Sequence, residues 1–224
     1  MKPLNKYIDH TLLKPVATPQ DIITLCEEAV QYDFFSVCVN SCYVRLAKEH
    51  IKKSDVAVCS VVGFPLGAMH TNAKVFEAKQ AINNGASEID MVLNIGHLKS
   101  GYYQLVLEDI KKVKDAIGKN VLKVILEISE LTNDEIVKAC ELCLEANADF
   151  VKTSTGFSSS GATIEATKLM LEKVNGKAKV KVSGGIRDYE TAKKYIDLGA
   201  DRIGTSSGVN IVLESKSQIQ EPIA

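Results

Sequence analysis

A six-residue pattern recurs four times along this 224-residue chain and narrows its possible folds sharply. Gly85-Ala86-Ser87-Glu88-Ile89-Asp90, Asn147-Ala148-Asp149-Phe150-Val151-Lys152 and Gly199-Ala200-Asp201-Arg202-Ile203-Gly204 share it, with Asp33-Phe34-Phe35-Ser36-Val37-Cys38 as a weaker copy. The three strong copies open with Gly or Asn, residues that tolerate the left-handed backbone ending a helix. Alanine and a small polar residue follow, then an apolar strand. The copies lie 52, 62 and 52 residues apart, about two units of 28, and eight units of 28 fill the chain. Twenty-eight residues hold one strand, one helix and two short loops, and parallel strands need crossovers of a dozen residues or more. The copies therefore mark every second strand of an α/β fold, a single (β/α)8 barrel.

The intervening strands fall at 7–12, 56–64, 121–127 and 179–183. Helix starts are signalled by Thr18-Pro19 ahead of Asp21, by Thr132 with Glu135, and by Asp188 ahead of Glu190. No Pro-, Gly- or Ser-rich linker divides the chain, so residues 1–212 are expected to form one barrel domain and 213–224 a flexible C-terminal tail.

Charge limits the partners. Lys and Arg total 27 against 28 Asp and Glu, so the molecule has no overall basic field to hold nucleic acid or an anionic membrane, and any anion must be held locally. The N-terminus lacks an apolar signal core and no run of 18 apolar residues occurs, so a cytoplasmic protein without a membrane span is expected. The six cysteines sit in apolar segments, which favours free thiols in a reducing compartment. Cys140 and Cys143 form a C-x-x-C inside the helical pattern 132–146 with no histidine nearby, which reads as packing. The four histidines show no metal-binding spacing, so neither metal nor cofactor is expected.

The echo also aligns chemistry. Its sixth position holds Cys38, Asp90, Lys152 and Gly204, and in such barrels an interior layer takes four side chains from alternate strands. Asp90 and Lys152 interrupt strands that should be continuously apolar, and an unpaired charge there is costly. A buried Asp–Lys pair that only holds the barrel together would satisfy that pattern. Lys181, between Val180 and Val182, adds a second inward lysine on the next strand. Like charge and desolvation lower a lysine pKa, and a free amine attacks carbonyls to form a Schiff base, with a carboxylate moving the protons. The segments after strands seven and eight, Ser183-Gly184-Gly185-Ile186-Arg187 and Gly204-Thr205-Ser206-Ser207-Gly208, lie where these barrels hold phosphate, and Lys152-Thr153-Ser154-Thr155-Gly156 is a third polar loop.

Together with Tyr7-Ile8-Asp9-His10-Thr11-Leu12-Leu13-Lys14-Pro15, Val62-Gly63-Phe64-Pro65-Leu66-Gly67 and Leu122-Lys123-Val124-Ile125-Leu126-Glu127, these segments resemble deoxyribose-phosphate aldolases over about residues 7–212. The resemblance implies a metal-independent class I aldolase that interconverts 2-deoxy-D-ribose 5-phosphate with acetaldehyde and D-glyceraldehyde 3-phosphate. It implies Lys152 as the Schiff-base lysine, Asp90 as the proton-transfer carboxylate, and Lys181 as the second lysine that lowers the pKa of Lys152 and assists proton relay. It further implies phosphate contacts at Gly156, Gly184, Gly185, Gly204, Ser206 and Ser207, and places Asp9, Thr11 and Lys123 beside substrate or catalytic groups. A homodimer or higher homo-oligomer and a role in deoxynucleotide breakdown are also implied.

The chain departs from that family in three places. The tail lacks the terminal tyrosine that many members carry, Phe157 stands where some carry lysine, and Ser41 stands where proline is usual. Cys38, in the layer of Asp90 and Lys152, is a candidate reactive thiol towards enals. Rival readings are a non-covalent sugar-phosphate isomerase or epimerase using Asp90 as base, a keto-sugar Schiff-base aldolase, and a non-catalytic sugar-phosphate sensor.

Overall fold

The computed structural model describes residues 2–220, with side chains to 217. Eight parallel strands close on one another in chain order: β1 Ile8–Leu12, β2 Ser36–Val39, β3 Ala57–Val62, β4 Glu88–Val92, β5 Val121–Ile125, β6 Phe150–Lys152, β7 Lys179–Ser183 and β8 Arg202–Thr205. Outside them lie α1 Pro19–Gln31, α2 Val44–Ile51, α3 Thr71–Asn83, α4 Ile95–Lys99, α5 Tyr103–Ile117, α6 Asn133–Glu145, α7 Ile164–Val174, α8 Tyr189–Leu198 and α9 Gly208–Gln220. The fold is a (β/α)8 barrel. The four echoes mark β2, β4, β6 and β8, and each opens on a left-handed residue: Asp33 (φ 52°), Gly85 (φ 109°), Asn147 (φ 56°) and Gly199 (φ 114°).

Local signals place the helices. Thr18 accepts a hydrogen bond from the Asp21 N–H while Asp21 accepts one from the Thr18 N–H at 2.8 Å, with Pro19 in the first helical position. Thr132 and Glu135 close the same box on α6. Cys140 and Cys143 are buried on α6, and burial pushes the Cys140 thiol up to about 12 and Cys143 well above its ordinary value. Neither thiol is set up to ionise, which suits packing. One boundary differs from expectation. α9 runs from Gly208 to Gln220 and so continues past 213, where the sequence marks a tail; residues 221–224 lie outside the described residues.

Inside the barrel the register stacks side chains in layers from alternate strands. Ser36, Glu88, Phe150 and Arg202 form the lowest, Asp9, Cys59, Lys123 and Lys181 the next, and Cys38, Asp90, Lys152 and Gly204 the third. Thr11, Val61, Ile125 and Ser183 stand above, under the loops at the carboxyl ends of the strands. The apolar core lies between strands and helices, while much of the barrel interior is charged.

Candidate active site

The charges form a column rising through three layers. At the base Arg202 bridges Asp9 and Glu88, the latter at 2.8 Å, with its guanidinium over the Phe35 ring. Lys123 joins Glu88 at 2.6 Å to Asp90 Oδ1 at 2.8 Å, and Lys181 joins Asp9 at 2.6 Å to Asp90 Oδ2 at 2.8 Å. Lys152 donates to the same Oδ2 at 2.8 Å. Three carboxylates thus face four cations, all buried. A neutral amine at one of the four leaves the column balanced, and a buried charge is tolerable only when paired.

Burial alone would raise the Asp90 carboxyl, but Lys123, Lys152 and Lys181 hold it well below the usual range. Burial alone would lower Lys181, and Asp9 and Asp90 overcome it and push it above the ordinary lysine value. Burial likewise opposes ionisation of Asp9, and Arg202 and Lys181 hold its carboxyl far down. Lys181 is therefore a standing positive charge beside Lys152, both ammoniums resting on one oxygen.

Above the column a cavity of ≈390 Å³ opens at the carboxyl ends of the strands. Thr11, Lys152, Gly156, Gly184, Gly185, Gly204 and Ser206 line it, with Leu13, Lys14, Thr155, Phe157, Ile186 and Arg187 among their neighbours. Asp9, Asp90, Lys123 and Lys181 lie beneath and do not reach its wall, nor do Cys38 and Ser207. Gly184 (φ 92°) and Gly185 (φ 84°) adopt left-handed backbone that other residues rarely take. Gly204 serves a different need: a Cβ there would lie 3.0 Å from Lys181 Cε and 3.0 Å from Ser183 Cβ.

Several contributors carry no strong sequence signal. Glu88 and Arg202 complete the column, and alternation with Asp90 and Gly204 is their only trace. Glu127, left-handed at φ 58°, accepts hydrogen bonds from the N–H and hydroxyl of Thr155 and so holds the loop after β6; burial pushes its carboxyl upward. Cys59 is the register partner of Cys38 and hydrogen-bonds Asp90 Oδ1 at 3.1 Å. The hydrogen bond from Cys59 lowers the Cys38 thiol against burial, with help from Lys181. Cys38, Cys59 and Asp90 bring three metal-capable atoms within 4.8 Å of one another. Three ammoniums already occupy Asp90 at 2.8 Å, so a metal cation there would meet like charge. Among the described residues no helix is long and apolar enough to cross a membrane.

A family model described as DeoC/LacD family aldolase matches residues 4–214. The chain belongs to this aldolase family. It is 59% identical over 215 residues to the deoxyribose-phosphate aldolase of Mycoplasma capricolum, covering 96% of this chain and 97% of that one. A solved structure described as QR15, an aldolase, superposes with a TM-score of 0.94 at 44% identity, covering 99% of this chain and all of the other. The tetrameric deoxyribose phosphate aldolase of Aeropyrum pernix superposes at 0.87 with 34% identity, over 96% and 92% of the two chains. Membership of an aldolase family with a charged lysine column favours carbon–carbon chemistry over the isomerase, epimerase and sensor readings.

Proposed function

We infer that this DeoC/LacD family chain cleaves 2-deoxy-D-ribose 5-phosphate reversibly to acetaldehyde and D-glyceraldehyde 3-phosphate through a Schiff base on Lys152. The observation that carries this is positional: of the three lysines around Asp90, Lys152 alone lines the cavity.

In the cleavage direction the neutral Lys152 amine adds to the C1 aldehyde of the open-chain sugar and loses water to give a protonated imine. The C3 hydroxyl gives its proton to Asp90 through one water, as the C2–C3 bond breaks and its electron pair moves into the imine, forming an enamine. D-Glyceraldehyde 3-phosphate leaves, C2 is protonated, and water releases acetaldehyde and the free amine. Lys181 stays charged and keeps a positive potential beside Lys152 Nζ. Neither metal nor cofactor is called for by these steps.

The phosphate is assigned to Gly156, Gly184, Gly185, Gly204 and Ser206, with Arg187 and Thr11 on the same cavity lining and Ser207 behind Ser206. Backbone N–H groups at glycine turns approach an anion without side-chain obstruction, and anchoring it aligns the reacting carbons over Lys152. Asp9 and Lys123 act through Lys181 and Asp90 rather than on substrate. A homo-oligomer in the cytoplasm working in deoxynucleotide catabolism completes the proposal.

Borohydride reduction in the presence of acetaldehyde, followed by peptide mass mapping, tests the reading. A two-carbon ethyl adduct on Lys152 is expected; no adduct on any lysine rejects it.

A further inference from the structure

The cavity is lined by three cationic side chains, Lys14, Lys152 and Arg187, and by no carboxylate. Lys152 is engaged by Asp90 at the floor. Arg187 follows the Gly184-Gly185 turn after β7, and Lys14 follows β1. Because β8 runs between β7 and β1 in the closed barrel, Arg187 and Lys14 flank the Gly204–Ser206 segment from its two sides.

The Lys14 backbone is fixed and its side chain is exposed. Its carbonyl accepts from the Ala17 N–H at 3.1 Å, the Leu13 carbonyl accepts from Asn40 Nδ2 at 3.3 Å, and the Ala17 carbonyl accepts from the Tyr43 hydroxyl at 2.7 Å. Leu13 is buried while Lys14 is exposed. Lys14 and Ser206 also line a neighbouring cavity of ≈520 Å³ that contains Asp21 and Glu28, and the Lys14 charge reaches Asp21. The ammonium therefore stands on the ridge between an acidic cleft and the phosphate loops.

We propose that Lys14 is a substrate-selecting residue, supplying the second positive charge that, with Arg187, neutralises a phosphate monoester held at the Gly204–Ser206 segment. The proposal rests on the phosphate reading of this cavity. A phosphate monoester carries about two negative charges at neutral pH, and glycine N–H groups supply only partial charge against it. One guanidinium leaves roughly one charge unmatched; a lysine on a flexible stem, acting as a compact point charge, matches it.

The test compares 2-deoxyribose 5-phosphate with 2-deoxyribose as substrates of the intact enzyme, its Lys14→Met variant and its Lys14→Arg variant. The ratio of kcat/KM for the phosphorylated over the unphosphorylated sugar is expected to fall about 10-fold in Lys14→Met, mainly through KM, and to recover in Lys14→Arg. An unchanged ratio, or equal losses on both sugars, overturns the assignment. If the wild-type chain cleaves neither sugar, the aldolase reading fails and calorimetry with glycerol 3-phosphate decides on Lys14 alone. About 10-fold weaker binding to Lys14→Met supports it, and equal affinity rejects it.

Discussion

Lys152 and Lys181 place their ammonium nitrogens each 2.8 Å from one carboxylate oxygen, Asp90 Oδ2, yet only Lys152 faces the cavity. The pair divides the work: one lysine meets substrate and the other keeps charge beside it. Lys181→Leu removes the standing charge beside the reacting nitrogen, so the pH profile of kcat/KM and of borohydride trapping should be displaced. Circular dichroism would verify that the barrel still forms, and an unshifted pH profile would free Lys181 from this role.

Asp90 holds three ammoniums at 2.8 Å. Asp90→Asn keeps the shape but removes the proton acceptor and the charge that compensates those lysines. A loss of at least about 100-fold in kcat is expected from the missing acid–base group. Stability should fall by roughly 3–5 kcal/mol, as when one partner of a buried pair is removed. Denaturant unfolding alongside steady-state kinetics reads both effects, and a variant with near-normal kcat would move proton transfer to another group.

Why Asp90, Lys152 and Lys181 were legible in the sequence, and their supports were not, follows from geometry. A charge in a doubly buried parallel strand is conspicuous, and the echo set Asp90 and Lys152 at one height. Lys123, which the resemblance implies to lie beside substrate or catalytic groups, sits 2.8 Å from Asp90 and off the cavity wall. Whether an inward side chain reaches the opening depends on its layer, which is set by strand stagger and not by pattern. Glu127 was invisible because its role comes from a left-handed backbone in a residue with no preference for it. The helix α9 spans the expected tail boundary at 213, and the polar segment 214–218, ESKSQ, offers no apolar pattern from which to read it.

The column also predicts a direction for acid unfolding. Asp9 and Asp90 have carboxyls held far below their unfolded values, by Arg202, Lys181 and Lys123 against the opposing effect of burial. Such groups contribute stability that is fully present above the unfolded carboxylate pKa, about 4, and is lost as pH falls towards the folded value. Their share of stability should hold level from pH 7 down to about 5 and drop steeply below about 4. Urea midpoints across that range for wild type and for Asp9→Asn would show it, the variant having the shallower acid limb; equal slopes would contradict the linkage.

Cys38 lies below the cavity, packed with Leu13, Cys59 and Val61, and its thiol is lowered by the Cys59 hydrogen bond and by Lys181. A thiol under an aldehyde site is placed to add to the β-carbon of an enal. Cys38→Ser should resist inactivation by crotonaldehyde, and Leu13→Ala, which thins the cover, should speed it several-fold in the otherwise wild-type chain. Inactivation at the same rate in Cys38→Ser would sink this assignment.

Gly204 separates two explanations of one glycine. As a phosphate-loop residue it would matter for the phosphorylated sugar only. Its backbone is not left-handed, but an added Cβ would lie 3.0 Å from Lys181 Cε and 3.0 Å from Ser183 Cβ. Lys181 cannot swing aside freely, because ion pairs to Asp9 at 2.6 Å and Asp90 at 2.8 Å hold its far end. Gly204→Ala therefore presses on the standing charge beside Lys152, at a cost of about 1–3 kcal/mol typical of overpacking. Activity should fall on 2-deoxyribose and on its 5-phosphate alike, with the pH profile displaced as in Lys181→Leu. A loss confined to the KM of the phosphorylated sugar would show that Gly204 acts through its phosphate contact alone and not on Lys181.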